Sequence, residues 1–243
     1  GLDTRVLGGG DTHQVGLGLP GLPILAVGTN GEVAWGQTQL MGDITDWYRE
    51  ELVLGADGAP SHSLFQGQAQ PLVARVESHV VADVPVLGSV GRTETWTRYE
   101  TFDGRFLTAV EGVEVEDDHV PAQGEAIVRF PGQAVIPSDV DGDGTITAIS
   151  FDYAAFSDAN ILLGVDGFGH ASDVHELREA TRHLVAYSQN IGASDSSGSV
   201  LYTGYQAVPC RGYLPRAPDG SFLEGADPRL LIDGTTYGGF EIP

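Results

Sequence analysis

Two groups of carboxylates are the residues whose type and spacing most directly suggest chemistry. Asp43 and Asp46 lie in the run Asp43-Ile44-Thr45-Asp46. Two carboxylates so placed can share one hard cation, with a backbone carbonyl between them as a further oxygen ligand. The same residues also suit a turn in which an Asp side chain accepts from nearby N–H groups. The second group is Asp139, Asp141 and Asp143, followed by Gly144 and Ile146. Asp-x-Asp-x-Asp-Gly is the opening half of an EF-hand calcium loop, with the glycine allowing the sharp turn. The match stops there. Ser150 stands where the bidentate Glu belongs, and Pro137 argues against an incoming helix. A calcium loop and a solvated acidic turn both remain open.

Other chemistries lack their parts. The seven histidines fall in separate segments, with no His-Glu-x-x-His, so a catalytic zinc is not expected. No Gly-x-Ser-x-Gly elbow appears, and neither Ser89 nor Ser197 and Ser199 has a recognisable base partner. Gly8-Gly9-Gly10 lacks the Gly-Lys-Ser/Thr of a phosphate loop. Cys210 precedes Arg211, and a thiol beside a cation can be reactive, but such pairs are usually incidental. The 243 residues hold no self-sufficient catalytic set and imply no organic cofactor.

Composition narrows the class. The chain has 34 acidic residues against 12 basic ones, a net charge of −22, and every basic residue is Arg. Such a surface repels a phosphate backbone, so nucleic acid is not an expected partner. It is compatible with a salt-adapted source or with a bias of Arg over Lys. No run of about 18 apolar residues exists to span a membrane. Gly1 to Gly10 lacks the features of a signal peptide. A single cysteine excludes an internal disulfide framework. With 41% apolar residues a sizeable core is expected, and with 34 glycines turns and strands are favoured over long helices.

The elements that must position these residues are mainly strands. Ile24–Thr29 and Glu32–Thr38, joined by Asn30-Gly31, read as a hairpin. Gly16–Pro23 reads as an extended, Pro-pinned approach to it. Leu72–Val81, Thr93–Thr101, Arg105–Val110 after an Asp103-Gly104 turn, Ala126–Phe130, Ser150–Phe156, Ser188–Ala193 and Val200–Tyr205 read as strands. Ala56–Gln70 reads as a polar stretch, and the chain is loop-rich from Val208 onward. One helix is expected after Ser172, burying Val174, Leu177, Leu184 and Val185. Many hairpins and one helix give an α+β architecture. One helix is too few to cover the sheet, so segments outside these residues are expected to complete it.

One stretch also carries a resemblance. Leu19-Pro20-Gly21-Leu22-Pro23, Gly28-Thr29-Asn30-Gly31, Val33-Ala34-Trp35-Gly36-Gln37-Thr38, Asp43, Asp46 and Tyr48-Arg49-Glu50 resemble, in order and spacing, the penicillin acylase family of N-terminal-nucleophile hydrolases. Arg98–Gly104, the Ser172 helix and Asp227-Pro228-Arg229 are similar to later segments of that family. The family reads Gly-His-Asn-Gly where this chain has Thr29.

The resemblance implies an αββα fold whose antiparallel sheets are incomplete here. Residues 1–243 would be a single partial domain, an internal portion of the large chain, with 131–150 as a calcium-loop insertion. It implies self-cleavage of a precursor. It also implies hydrolysis of linear amides, such as N-acyl compounds or β-lactam side-chain amides, by an N-terminal Ser outside these residues. The backbone N–H of Gln39 would be one oxyanion donor. Leu25, Ala26, Val27 and Met41 would shape an acyl pocket. Asp43, the Thr45 carbonyl, Asp46 and Pro228 would hold Ca2+. The expected partners are other segments of the same precursor and a small amide, in the periplasm or after secretion. The alternative is a non-catalytic, calcium-stabilised extracellular protein with the same fold.

Overall fold

The computed structural model describes residues 1–18, 20, 25–88, 90–116, 118–130, 133–156, 160–185 and 188–241. Leu19, Gly21–Pro23 and Ile24 of the expected approach and hairpin lie outside these, as do Ser89, Pro131 and Gly132.

In chain order the strands begin with β1 (Leu2–Asp3), β2 (His13–Gly18), β3 (Leu25–Thr29), β4 (Val33–Gln39), β5 (Thr45–Leu54) and β6 (Pro60–Phe65). Next come β7 (Gln68–Pro71), β8 (Val73–Val81), β9 (Arg92–Glu100), β10 (Phe106–Val110) and β11 (Gly112–Glu114). Then follow β12 (Val128–Phe130), β13 (Gln133–Pro137) and β14 (Ile146–Tyr153). Two helices, α1 (Ile161–His170) and α2 (Val174–Thr181), precede β15 (Gln189–Asp195), β16 (Val200–Tyr205) and β17 (Ile232–Asp233). The expected mostly antiparallel, helix-poor architecture is what the chain adopts. Within the single partial domain expected, it divides into two compact units, one built on Gly1–Ile44 and Ala154–Pro209, the other on Thr45–Tyr153 and Cys210–Glu241.

The first unit is a six-stranded sheet in the order β1-β2-β3-β4-β15-β16. Alternation on β4 sends Val33 and Trp35 to one face, where they meet Ile191 and Ala193 of β15. Phe168 of α1 and Val174, Leu177 and Ala180 of α2 close over them, with Trp35 and Phe168 edge to face at 5.9 Å. The turn after β3 differs from a two-residue hairpin turn with both residues at positive φ. Only Gly31 is there, at 98°. Asn30 serves through its side chain: Oδ1 accepts from the N–H of Glu32 and Val33, and Nδ2 donates to the carbonyls of Phe168, Gly169 and Ala171. It therefore ties the hairpin to the end of α1.

Helix α1 was not expected, because Gly164, Gly167 and Gly169 depress helix propensity. Packing requires the first two, which lie against Ala180. A Cβ on Gly167 would lie 2.6 Å from the Ala180 methyl, and one on Gly169 2.0 Å from the Gln14 amide. Helix α2 is capped by Asp173, one residue later than expected, through N–H bonds from His175 and Glu176. Leu184 is buried but lies beyond its end.

In the second unit the main sheet runs β7-β6-β5-β14-β10-β9-β8, with β17 parallel to β5. A three-stranded sheet runs β11-β13-β12. Ala56–Gln70 is therefore not simply a polar stretch, since it contains β6 and most of β7. Leu52, Tyr99, Leu107, Val110, Val128, Val135 and Ala148 form one core. The chain after Cys210 covers β5 from the other direction, with Leu214, Ala226 and Ile232 packed on Tyr48. Residues 133–150 contain the stretch expected as a calcium loop. They supply β13 and the start of β14, a central strand, and only the turn between them projects.

Candidate functional site

Strand β4 and the loop after it position the backbone group expected to do chemistry. The Leu40 N–H donates to the Ser188 carbonyl at 2.9 Å. Amides alternate along a strand, so the neighbouring Gln39 N–H faces the other edge, on the β3 side. The Gln39 carbonyl accepts from Asn190 Nδ2 at 3.0 Å. Beyond it the chain turns sharply. Met41 has φ 58°, rare for a non-glycine residue, and is 81% exposed. The turn is held by the Gly42 N–H donating to Ser188 Oγ at 2.9 Å, and Ser188 Oγ donates to Gln206 Oε1 at 2.8 Å. A Cβ at residue 42 would collide with the Gln206 amide.

The proposed pocket residues divide between the faces of this sheet. Leu25 packs on the helix-side core, and its carbonyl accepts from Trp35 Nε1 at 3.0 Å. Val27 stands on the opposite face, beside Gly36. Ala26 lies between them, partly buried.

Asp43 is exposed and lies one residue before the end of the first unit's opening segment, while Thr45, Asp46 and Pro228 belong to the second unit. The Asp46 side chain is fully buried and already has its counter-charge. Arg211 donates to both its oxygens, at 2.8 to 3.0 Å. With that guanidinium in place Asp46 itself offers a cation little net charge. Arg211 thus pairs with Asp46, and its neighbour Cys210 is an exposed free cysteine.

The Asp139 turn is better organised than its exposure suggests. Glu111, at the end of β10, accepts from the N–H groups of Val140, Asp141 and Thr147 and from the Thr147 hydroxyl. These bonds hold its carboxyl below the usual range. One oxygen each from Glu111, Asp139 and Asp141 lies within 4.8 Å of the others. Asp143 is not in that group; it accepts from the Thr145 hydroxyl and N–H, which lower its pKa. Glu111 lies outside the contiguous motif, which is why the spacing alone did not mark it.

A second polar cluster also went unread. Asp46, Tyr48 and Glu50 alternate on the covered face of β5. Arg105, with no exposed surface, donates to Glu50 Oε1 at 2.7 Å and to Asp103 at 3.0 Å, and lies 4.5 Å over the Tyr48 ring. Ser150 Oγ donates to the same Glu50 oxygen at 2.5 Å. Burial pushes the Glu50 carboxyl up in spite of Arg105. Burial also raises Asp103, but Arg105, the Thr101 hydroxyl and the Gly239 N–H outweigh it and hold that carboxyl low. Asp152, which accepts from the Phe240 N–H at 3.0 Å, is pushed by burial to about 6. The period-two pattern of β5 was the available signal for this cluster.

A family model described as penicillin amidase matches residues 5–238. The chain belongs to the penicillin amidase family. Among curated relatives, the acyl-homoserine lactone acylase QuiP of Pseudomonas fluorescens (strain Pf0-1) is 24% identical over 212 residues, covering 87% of this chain and 20% of the relative. QuiP of P. fluorescens (strain Pf-5) is 26% identical over 226 residues, covering 91% of this chain and 22% of the relative. The protein of the same name in Pseudomonas putida is 40% identical over 70 residues, 28% of this chain and 8% of that relative. A thermostable penicillin G acylase from Alcaligenes faecalis shares the fold. Its TM-score is 0.53 at 19% identity, over 95% of this chain and 34% of that one. This penicillin amidase family member thus spans about a fifth of the length of the two broadly matched curated relatives.

Proposed function

We propose that this chain is part of an amidohydrolase that cleaves a linear amide through an N-terminal Ser supplied outside these residues. The observation that carries the reading is the Gln39 peptide, whose N–H is turned away from the β15 ladder at the start of an anchored turn. In this reading the Ser hydroxyl attacks the amide carbonyl and its own α-amino group takes the proton. The carbonyl oxygen becomes an oxyanion that the Gln39 N–H stabilises. The amine then leaves with that proton, and water hydrolyses the acyl-enzyme. Val27 and Met41 would meet the acyl chain. The relatives named for acyl-homoserine lactones favour an N-acyl amide of that kind.

The chain would be an incomplete part of an αββα fold, completed by other segments of a self-processed precursor in the periplasm or outside the cell. Among the described residues no helix is long and apolar enough to cross a membrane.

The test is a pair of substitutions in the assembled enzyme. Gln39→Pro deletes the N–H and is expected to lower kcat about 100-fold or more, whereas Gln39→Ala keeps the N–H and should stay near the parent. Equal activity in two variants of parental thermal stability would remove Gln39 from the mechanism. The second reading, a calcium-stabilised protein without catalysis, is favoured by the convergence of Glu111 with Asp139 and Asp141. It requires the assembled protein to bind calcium and to hydrolyse no amide.

A further inference from the structure

Strand β8 ends the main sheet of the second unit. Among the described residues no strand pairs with its outer edge. It is regular, pairing with β9 residue for residue from Val73↔Glu100 to Val81↔Arg92 without a bulge. It contains no proline. An exposed edge of that length is a template for another strand.

The two faces of this ribbon differ sharply. One carries Arg75, Glu77 and His79 directly opposite Arg98, Trp96 and Glu94, with Glu100 opposite Val73, so its ion pairs are diagonal. Arg75 meets Glu100 at 3.1 Å and Arg98 meets Glu77 at 2.9 Å. The other carries Ala74, Val76, Ser78 and Val80 beside Thr93, Thr95 and Thr97, with no charge in a protein of net −22. Val76 is 71% exposed and Val80 84%.

We propose that a second copy of this chain adds to that edge, β8 against β8, antiparallel about a two-fold axis through Val76. The charges select this register. It places Arg75 of each copy opposite Glu77 of the other, Val76 opposite Val76 and Ala74 opposite Ser78. Opposite charges in directly facing positions stabilise a pair of strands, and like charges destabilise it. Sliding one strand two residues either way sets Arg75 against Arg75 or Glu77 against Glu77. Arg75 and Glu77 thus alternate across the axis, and the uncharged face continues on the other side. The contact is isologous and closes at two copies, joining two sheets into one.

Sedimentation of the isolated protein tests this. A reversible dimer is expected. Arg75→Glu should weaken it about tenfold, since two symmetric pairs turn from attractive to repulsive. The exchange Arg75→Glu with Glu77→Arg should restore it. With Cys210→Ser to remove the native thiol, Val76→Cys should join two copies through a short bismaleimide, whereas Val80→Cys should not. A protein that stays monomeric because another segment of its precursor or another protein covers the edge overturns the proposal. So does a dimer indifferent to Arg75→Glu, one the exchange does not restore, or one with no cross-link at residue 76.

Discussion

Removing Arg105 would strand Glu50, and leave Asp103 without its guanidinium, in the interior of the second unit. Breaking a buried pair from one side costs about 3–5 kcal/mol, because the remaining charge is left desolvated. Arg105→Ala should therefore lower the urea midpoint steeply, and a midpoint within error of the parent would mean the network contributes nothing. Asp152 gives a pH signature. Its folded-state value of about 6 lies above the ordinary 3.8, so the folded protein holds this proton more tightly than the unfolded chain. Its stabilising contribution is full below about pH 4 and is lost as pH rises through about 6. Asp152→Asn, still able to accept the Phe240 N–H, should gain in melting temperature relative to the parent at pH 8 and lose that gain toward pH 4. A difference independent of pH would contradict the assignment. None of these residues was read from the sequence as functional. Their partners lie far along the chain, as with Glu50 and Arg105, and spacing reports only local company.

At the scale of elements, the strands carried by strict alternation and turn residues were legible. The Asp103-Gly104 turn and the β15–β16 hairpin are examples. Helix α1 was hidden, because glycines that lie against Ala180 weaken the helical signal. Strand β5 was hidden too, because its buried face carries Asp46, Tyr48 and Glu50 rather than apolar residues. The β13–β14 turn invites a metal experiment. If Glu111, Asp139 and Asp141 hold calcium, millimolar calcium should raise the melting temperature by a few degrees and a chelator reverse it. Asp139→Asn with Asp141→Asn should abolish the response. A melt unchanged by calcium and chelator alike leaves the turn as a self-bonded acidic loop.

For the whole molecule, family membership was legible from one ordered run of motifs, whereas the division into two units was not. That run, Leu19 to Glu50, passes from the first unit into the second, which a linear reading cannot separate. Gln39, the expected donor, is the last residue of β4, and Asp46, an expected cation ligand, accepts from Arg211. As proposed, these residues work with a nucleophile they do not contain. Intact-mass and N-terminal analysis of every chain that copurifies with them tests this most directly. A processed chain of the same precursor beginning with Ser, Thr or Cys is expected. A preparation in which no chain begins with such a residue would contradict it.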